Sequence, residues 1–143
     1  MIRAVLDTNV LVSGFVRRHP EAPSVQLVDA WRAGTFQLVV CEEILDEVAH
    51  TLNKPYFKAR LTEAQIERTL FLLRRHAFLT RLTEKVEGIA THPEDDRILD
   101  AAVSGGADTL VTGDGDLVAL GAFRGVAIRS PRNFLEILRE ATS

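Results

Sequence analysis

Short apolar runs alternate with longer amphipathic stretches along almost the whole chain, and this alternation constrains the fold more than any other feature. Ile2, Ala4, Val5 and Leu6 form a nearly all-apolar run before Asp7, the pattern of a strand buried on both faces. A loop is expected through residues 14–23, with Pro20 and Pro23 as breakers. Ser24 precedes Val25, Leu27, Val28 and Trp31 at the spacing of one helix face, closed by Gly34. Residues 36–40 read as a second strand. Residues 42–52 read as a helix with Ile44, Leu45, Val48 and Leu52 on one stripe, stopped by Pro55. Thr62 and Gln65 form a capping-box signal for a helix carrying Ile66, Leu70, Leu73 and Ala77, with a short strand expected over 78–82. Pro93 and the acids after it open a helix bearing Ile98, Leu99, Ala102 and Val103, ended by Gly105 and Gly106. Residues 108–112 are expected as a strand, 113–115 as a tight turn, 116–120 as a short helix and 126–128 as a last strand. Ser130 before Pro131 marks an N-cap with proline at the first helical position, and Phe134, Ile137 and Leu138 give the closing helix its apolar face. The alternation predicts an α/β sandwich around a parallel sheet, a class in which ligands sit at the carboxyl ends of strands.

Composition bounds the rest. For 143 residues a single domain, 1–143, is expected; chains near this size bury roughly 68–70% of their unfolded surface, enough for a core without disulfides. Hydrophobic residues at 46% and charged residues at 26% exclude a disordered chain. A net charge of −3 argues against a basic nucleic-acid-binding tail, but not against nucleic acid as a substrate, because a metal in an acidic site inverts the local field. Cys41 is the single cysteine, which fits a reducing cytoplasm. No apolar run approaches the ~20 residues of a membrane span, and no signal peptide is expected.

Acids fall where the fold class puts function. Asp7 lies directly after the first strand, and Asp114 and Asp116 directly after a later one. Asp95 and Asp96 start the helix feeding that later strand, and Glu43 and Glu47 share a face of a helix that itself follows a strand. Each has an ordinary alternative: Asp7 as a turn cap, Asp95 and Asp96 as dipole-satisfying helix acids, Asp114 as a turn residue, the glutamates as a solvated face. Four segments coinciding favour a cluster. Clustered carboxylates either share protons or bind cations, and hard oxygen donors suit Mg²⁺ or Mn²⁺. His19, His50, His76 and His92 show no zinc-binding spacing.

The segments Leu6-Asp7-Thr8-Asn9-Val10-Leu11-Val12 and Val111-Thr112-Gly113-Asp114-Gly115-Asp116-Leu117 resemble the two hallmark motifs of PIN-domain ribonucleases. Between them, Glu42-Glu43-Ile44-Leu45-Asp46-Glu47-Val48 and Pro93-Glu94-Asp95-Asp96-Arg97-Ile98-Leu99 are similar to the segments carrying that family's second and third acids. Within that family the pattern resembles the VapC-like group, the toxin components of toxin–antitoxin systems. The resemblance implies a three-layer α/β/α sandwich with a central, mostly parallel sheet of about five strands. It also implies a Mg²⁺- or Mn²⁺-dependent ribonuclease, with one or two ions, leaving 5′-phosphate and 3′-hydroxyl ends. Asp7, Glu47, Asp95 and Asp114 take the catalytic and metal-ligating positions and Asp116 an accessory metal position, with Thr8, Asn9, Asp96 and Thr112 around them. The chain departs from the family pattern at His92, where aspartate is common, and at Cys41, where serine or threonine is common.

Arg17 and Arg18, after the first strand, are candidates for RNA phosphate contacts. Trp31 and most phenylalanines sit at core spacing. The partners implied are RNA, an antitoxin protein and a second copy of the chain, with residues 61–77 carrying more apolar surface than one face needs. Two other readings stand beside the nuclease: a non-catalytic PIN-like binding domain, and a phosphotransfer protein, which is disfavoured by Asn9 where a second acid belongs.

Overall fold

The computed structural model describes residues 1–142. In chain order the elements are β1 (Arg3–Leu6), α1 (Thr8–Val16), α2 (Pro23–Arg32), β2 (Gln37–Val40), α3 (Glu42–Leu52), α4 (Pro55–Lys58) and α5 (Glu63–His76), followed by β3 (Phe78–Leu79), α6 (Pro93–Ser104), β4 (Thr109–Val111), α7 (Gly115–Leu120), β5 (Ala122–Phe123), β6 (Val126–Arg129) and α8 (Pro131–Thr142). The strands form one sheet in the order β3-β2-β1-β4-β6-β5, parallel throughout except for the β5–β6 pair. This is the mostly parallel α/β architecture expected, with six strands where about five were read. The extra strand, β5, is tied to β6 by Arg124 and Gly125 at φ 47° and 82°, the two positive dihedrals that a two-residue hairpin turn requires.

Most boundaries follow from local chemistry. Thr62 and Gln65 close a reciprocal capping box, Ser130 Oγ accepts from the Asn133 N–H at 3.1 Å, and α6 runs from Pro93 to just before Gly105. The loop expected over 14–23 is shorter than that, because α1 continues to Val16 and α2 opens at Pro23 rather than after Ser24. Gly14 explains the first difference. A Cβ there would stand 2.4 Å from Val28 Cγ2 and 2.6 Å from the Ser24 carbonyl oxygen, so the glycine lets α1 and α2 cross closely while remaining helical. The strand expected over 78–82 shrinks to two residues.

The core joins both faces of the sheet through Leu6, Leu38, Leu110, Ile44 and Leu99, all nearly inaccessible. Phe36 and Phe134 meet edge to face at 5.3 Å, and Trp31 is buried, as its spacing indicated. The chain enters the sheet at β1 and returns to its two sides as β2 and β4. That arrangement opens a crevice beyond the carboxyl ends of β1 and β4, the switch point of a doubly wound sheet.

Candidate active site

Asp7 stands at this crevice because β1 ends one residue before it and α1 begins one residue after it. As N-cap of α1 it accepts the Val10 N–H on Oδ1 at 2.9 Å. Its Oδ2 accepts the Thr112 hydroxyl at 2.5 Å, and Thr112 Oγ1 in turn accepts the Asp114 N–H at 3.0 Å. Fully buried Thr112 therefore couples the ends of the two central strands through one hydroxyl. Asp7 is only 7% exposed. Burial pushes its carboxyl above the usual range, more than the bonds from Thr112, Val10 and Gly113 pull it down, and Asp114 pushes it further.

Asp114 caps α7, taking the Asp116 and Leu117 N–H groups at 2.8 and 3.4 Å. Asp95 lies in the first turn of α6. Its carboxyl is also held high, first by burial and then by Asp114, with Asp7 adding to the same push and His92 opposing it. Asp7 and Asp95 thus both sense the charge of Asp114 from separate elements. Glu47, on α3, accepts the Thr8 hydroxyl at 2.7 Å and faces Arg97 of α6 at 3.4 Å.

Two clefts meet at these groups. One of about 490 Å³ includes Asp7, Asn9, Ser13, Ser24, Asp95 and Asp114. The other, about 610 Å³, includes Asp7, Asn9, Glu47 and Asp95 together with Lys54 and Arg97. Asp116 shares a recess of about 70 Å³ with Asp95 and Asp114. A further cleft, lined by Met1, Trp31, Phe36 and His76 among others, holds no acidic side chain. Among the described residues no three His, Cys, Asp or Glu side chains meet at a single point; the acids stand around a shared cavity.

Asp96 points elsewhere. Its two oxygens take the Gly88, Ile89 and Ala90 N–H groups at 3.0, 3.1 and 2.7 Å, so it anchors the loop before α6. Arg17 adopts φ 58° at the end of α1 and pairs with Asp29 at 2.6 Å, whereas Arg18 donates to the Tyr56 hydroxyl. Cys41 is buried, and desolvation pushes its thiol up to about 11, which leaves no thiolate for nucleophilic work near neutral pH. Arg97 was given no role by the sequence. Fifty positions separate it from Glu47, and no periodicity within one element signals such a pairing.

The PIN domain family model matches residues 3–116, and the chain belongs to that family. No curated protein sequence matches it. Its backbone is similar to a chain of VapBC2 from Rickettsia felis, solved bound to a DNA fragment from the promoter, with a TM-score of 0.60 at 15% identity over 90% of this chain and 98% of that one. FitAcB from Neisseria gonorrhoeae is similar with a TM-score of 0.54 at 19% identity, over 90% and 98% of the two chains. These similarities concern the fold.

Proposed function

We propose that the chain is a single PIN domain that hydrolyses RNA phosphodiester bonds with Mg²⁺ or Mn²⁺ at the Asp7, Glu47, Asp95 and Asp114 site, and that it acts as the toxin of a toxin–antitoxin pair. The observation carrying this reading is that Asp7, Asp95 and Asp114 line one cleft at the ends of β1 and β4, with the carboxyls of Asp7 and Asp95 held high by burial and by the charge of Asp114. Among the described residues none of those three carboxylates forms an ion pair with Lys or Arg, and an all-oxygen, net-negative donor set fits a hard divalent ion.

Bound there, such an ion supplies Lewis-acid polarisation of the phosphate and a water acidified towards neutral pH. The protein's own contribution is preorganisation. Thr112 and the Val10 N–H fix both oxygens of Asp7, Thr8 fixes Glu47, and the α7 N-terminus fixes Asp114. Asp116 and Asn9 border the same space.

The toxin assignment is supported by the fold shared with chains of VapBC2 and FitAcB. It implies a cytoplasmic protein with an antitoxin partner; among the described residues no helix is long and apolar enough to cross a membrane. We also propose a homodimer, for which α5 offers Phe71 at 60% exposure. The test is incubation of purified protein with RNA and Mn²⁺. Cleavage by the wild type that is abolished in Asp7→Asn is expected; no cleavage, or equal cleavage by both, overturns the proposal.

A further inference from the structure

We infer that Arg18, Tyr56 and Arg60 form a stacking and phosphate-binding subsite for single-stranded RNA, a few nucleotides from the bond to be cut; the inference rests on the nuclease reading above. Tyr56 is the second residue of the short helix α4 and stays 41% exposed. Two guanidiniums attend its ring from separate elements. Arg60 lies 3.7 Å from the ring centroid, with its Nη1 donating to the Tyr56 carbonyl at 2.7 Å. Arg18, beyond the end of α1, lies 5.9 Å from the centroid and donates to the phenol oxygen.

Among the described residues neither arginine forms an ion pair with a carboxylate. Arg17, Lys58, Arg74 and Arg97 all do, with Asp29, Glu63, Glu42 and Glu47 respectively. Two guanidiniums without a carboxylate partner thus meet at one aromatic ring, on a molecule whose candidate site is strongly acidic. A polyanion must have its backbone charge met outside that site; Arg60 covers one face of the Tyr56 ring and Phe57 meets it edge to face at 4.9 Å, so the ring surface left exposed is what would stack a base while the guanidiniums meet phosphates.

The location fits. A cleft of about 280 Å³ runs past Arg18, His19, Tyr56 and Phe57, and two of its walls, Ser13 and Ser24, also line the acidic cleft. The two spaces thus share walls on α1 and α2. From Asp7 to Val16 the helix advances roughly 13 Å, the length of about four nucleotides of a stacked strand.

The test uses a fluorescein-labelled uridine oligomer of about twelve nucleotides, a length within the range of known single-strand sites. Anisotropy in EDTA measures binding without cleavage. Tyr56→Ala should weaken binding about tenfold, as loss of one stacked base does, while Tyr56→Phe keeps it. Arg18→Gln should reduce the slope of log affinity against log salt by about 0.7, one phosphate on a single strand. A thermal melt by circular dichroism establishes that Tyr56→Ala is folded. With Mn²⁺, the small phosphodiester bis(p-nitrophenyl) phosphate should be cleaved equally by wild type and Tyr56→Ala, since it is too short to reach the shelf.

Unchanged oligomer binding in both Tyr56→Ala and Arg18→Gln overturns the subsite, as does no binding by the wild type. Displacement of the oligomer by polyglutamate at matched charge also overturns it, and assigns the surface to an acidic protein instead. Absence of cleavage of either substrate by the wild type overturns the nuclease reading and leaves the binding results standing, so the two failures are distinguishable.

Discussion

Two neighbouring aspartates on α6 show how this molecule separates structure from chemistry. Asp96 is as buried as Asp7, yet three backbone N–H groups converge on its carboxylate. Asp100, one turn on, repeats the device with the Glu84 and Val86 N–H groups and the Ser104 hydroxyl. Together they hold the irregular segment before α6 against that helix. Asp95, beside them in sequence, is destabilised as an anion first by burial and then by the charges of Asp114 and Asp7. A buried carboxylate supplied with donors is an anchor; one set among other carboxylates stores electrostatic strain that a cation relieves. On the proposed reading the strained acid belongs to the active site and the satisfied pair to the scaffold.

The comparison can be broken most directly at Asp7. Asp7→Asn should lower RNA cleavage by roughly a thousandfold, the loss expected when several kcal/mol of charge stabilisation disappears, with the fold intact by circular dichroism. If Asp96→Ala abolished cleavage without altering stability, the division between the two acids would be wrong. Asp96→Ala should instead destabilise the protein by roughly 3 kcal/mol, because it strands buried N–H donors, measured as a fall in the urea midpoint.

Thr112→Val tests the coupling between the strands. Losing the hydroxyl that orients Asp7 should cost about ten- to a hundredfold in metal affinity or rate, typical for groups that orient a ligand.

Smaller effects should appear in the melting curve. The folded-state carboxyls of Asp7 and Asp95 lie above their unfolded values, so the native state binds more protons there than the unfolded one. Their contribution to stability is then lost as pH rises from the unfolded value through the raised folded one. In EDTA, Asp7→Asn should melt higher than the wild type at neutral pH, and Mn²⁺ should raise the wild-type midpoint more than the variant's. The smallest change belongs to Arg17→Gln. Its exposed pair with Asp29 should be nearly silent in the melt, as surface ion pairs usually are.

Much of this molecule was legible before folding. Helix starts at Glu42, Glu63, Pro93 and Pro131 follow from short-range signals, namely a strand end, a capping box, and prolines at first helical positions. The acids at the ends of β1 and β4 were visible because strand and motif adjoin. The α1 helix was hidden, since valines and Gly14 weaken its local propensity, and its justification is the close crossing with α2. The two-residue β5 was hidden too, being too short to show a period.

The sequence alone determined the alternation of strands and helices, the places where helices begin and end, and the delivery of acids to one edge of a sheet. Those properties depend on neighbours within a few residues, whose hydrogen bonds and burial pattern are local. Only the tertiary structure decided that Asp96 turns away to anchor the loop before α6, which arginine of the Arg17–Arg18 pair is neutralised, and that Arg97 meets Glu47. Successive residues on a helix point about 100° apart, so the direction of Asp96 and Arg97 is set by how α6 is rotated against the sheet, while Arg17 and Arg18 lie beyond the end of α1 and take their partners from elements distant in the chain.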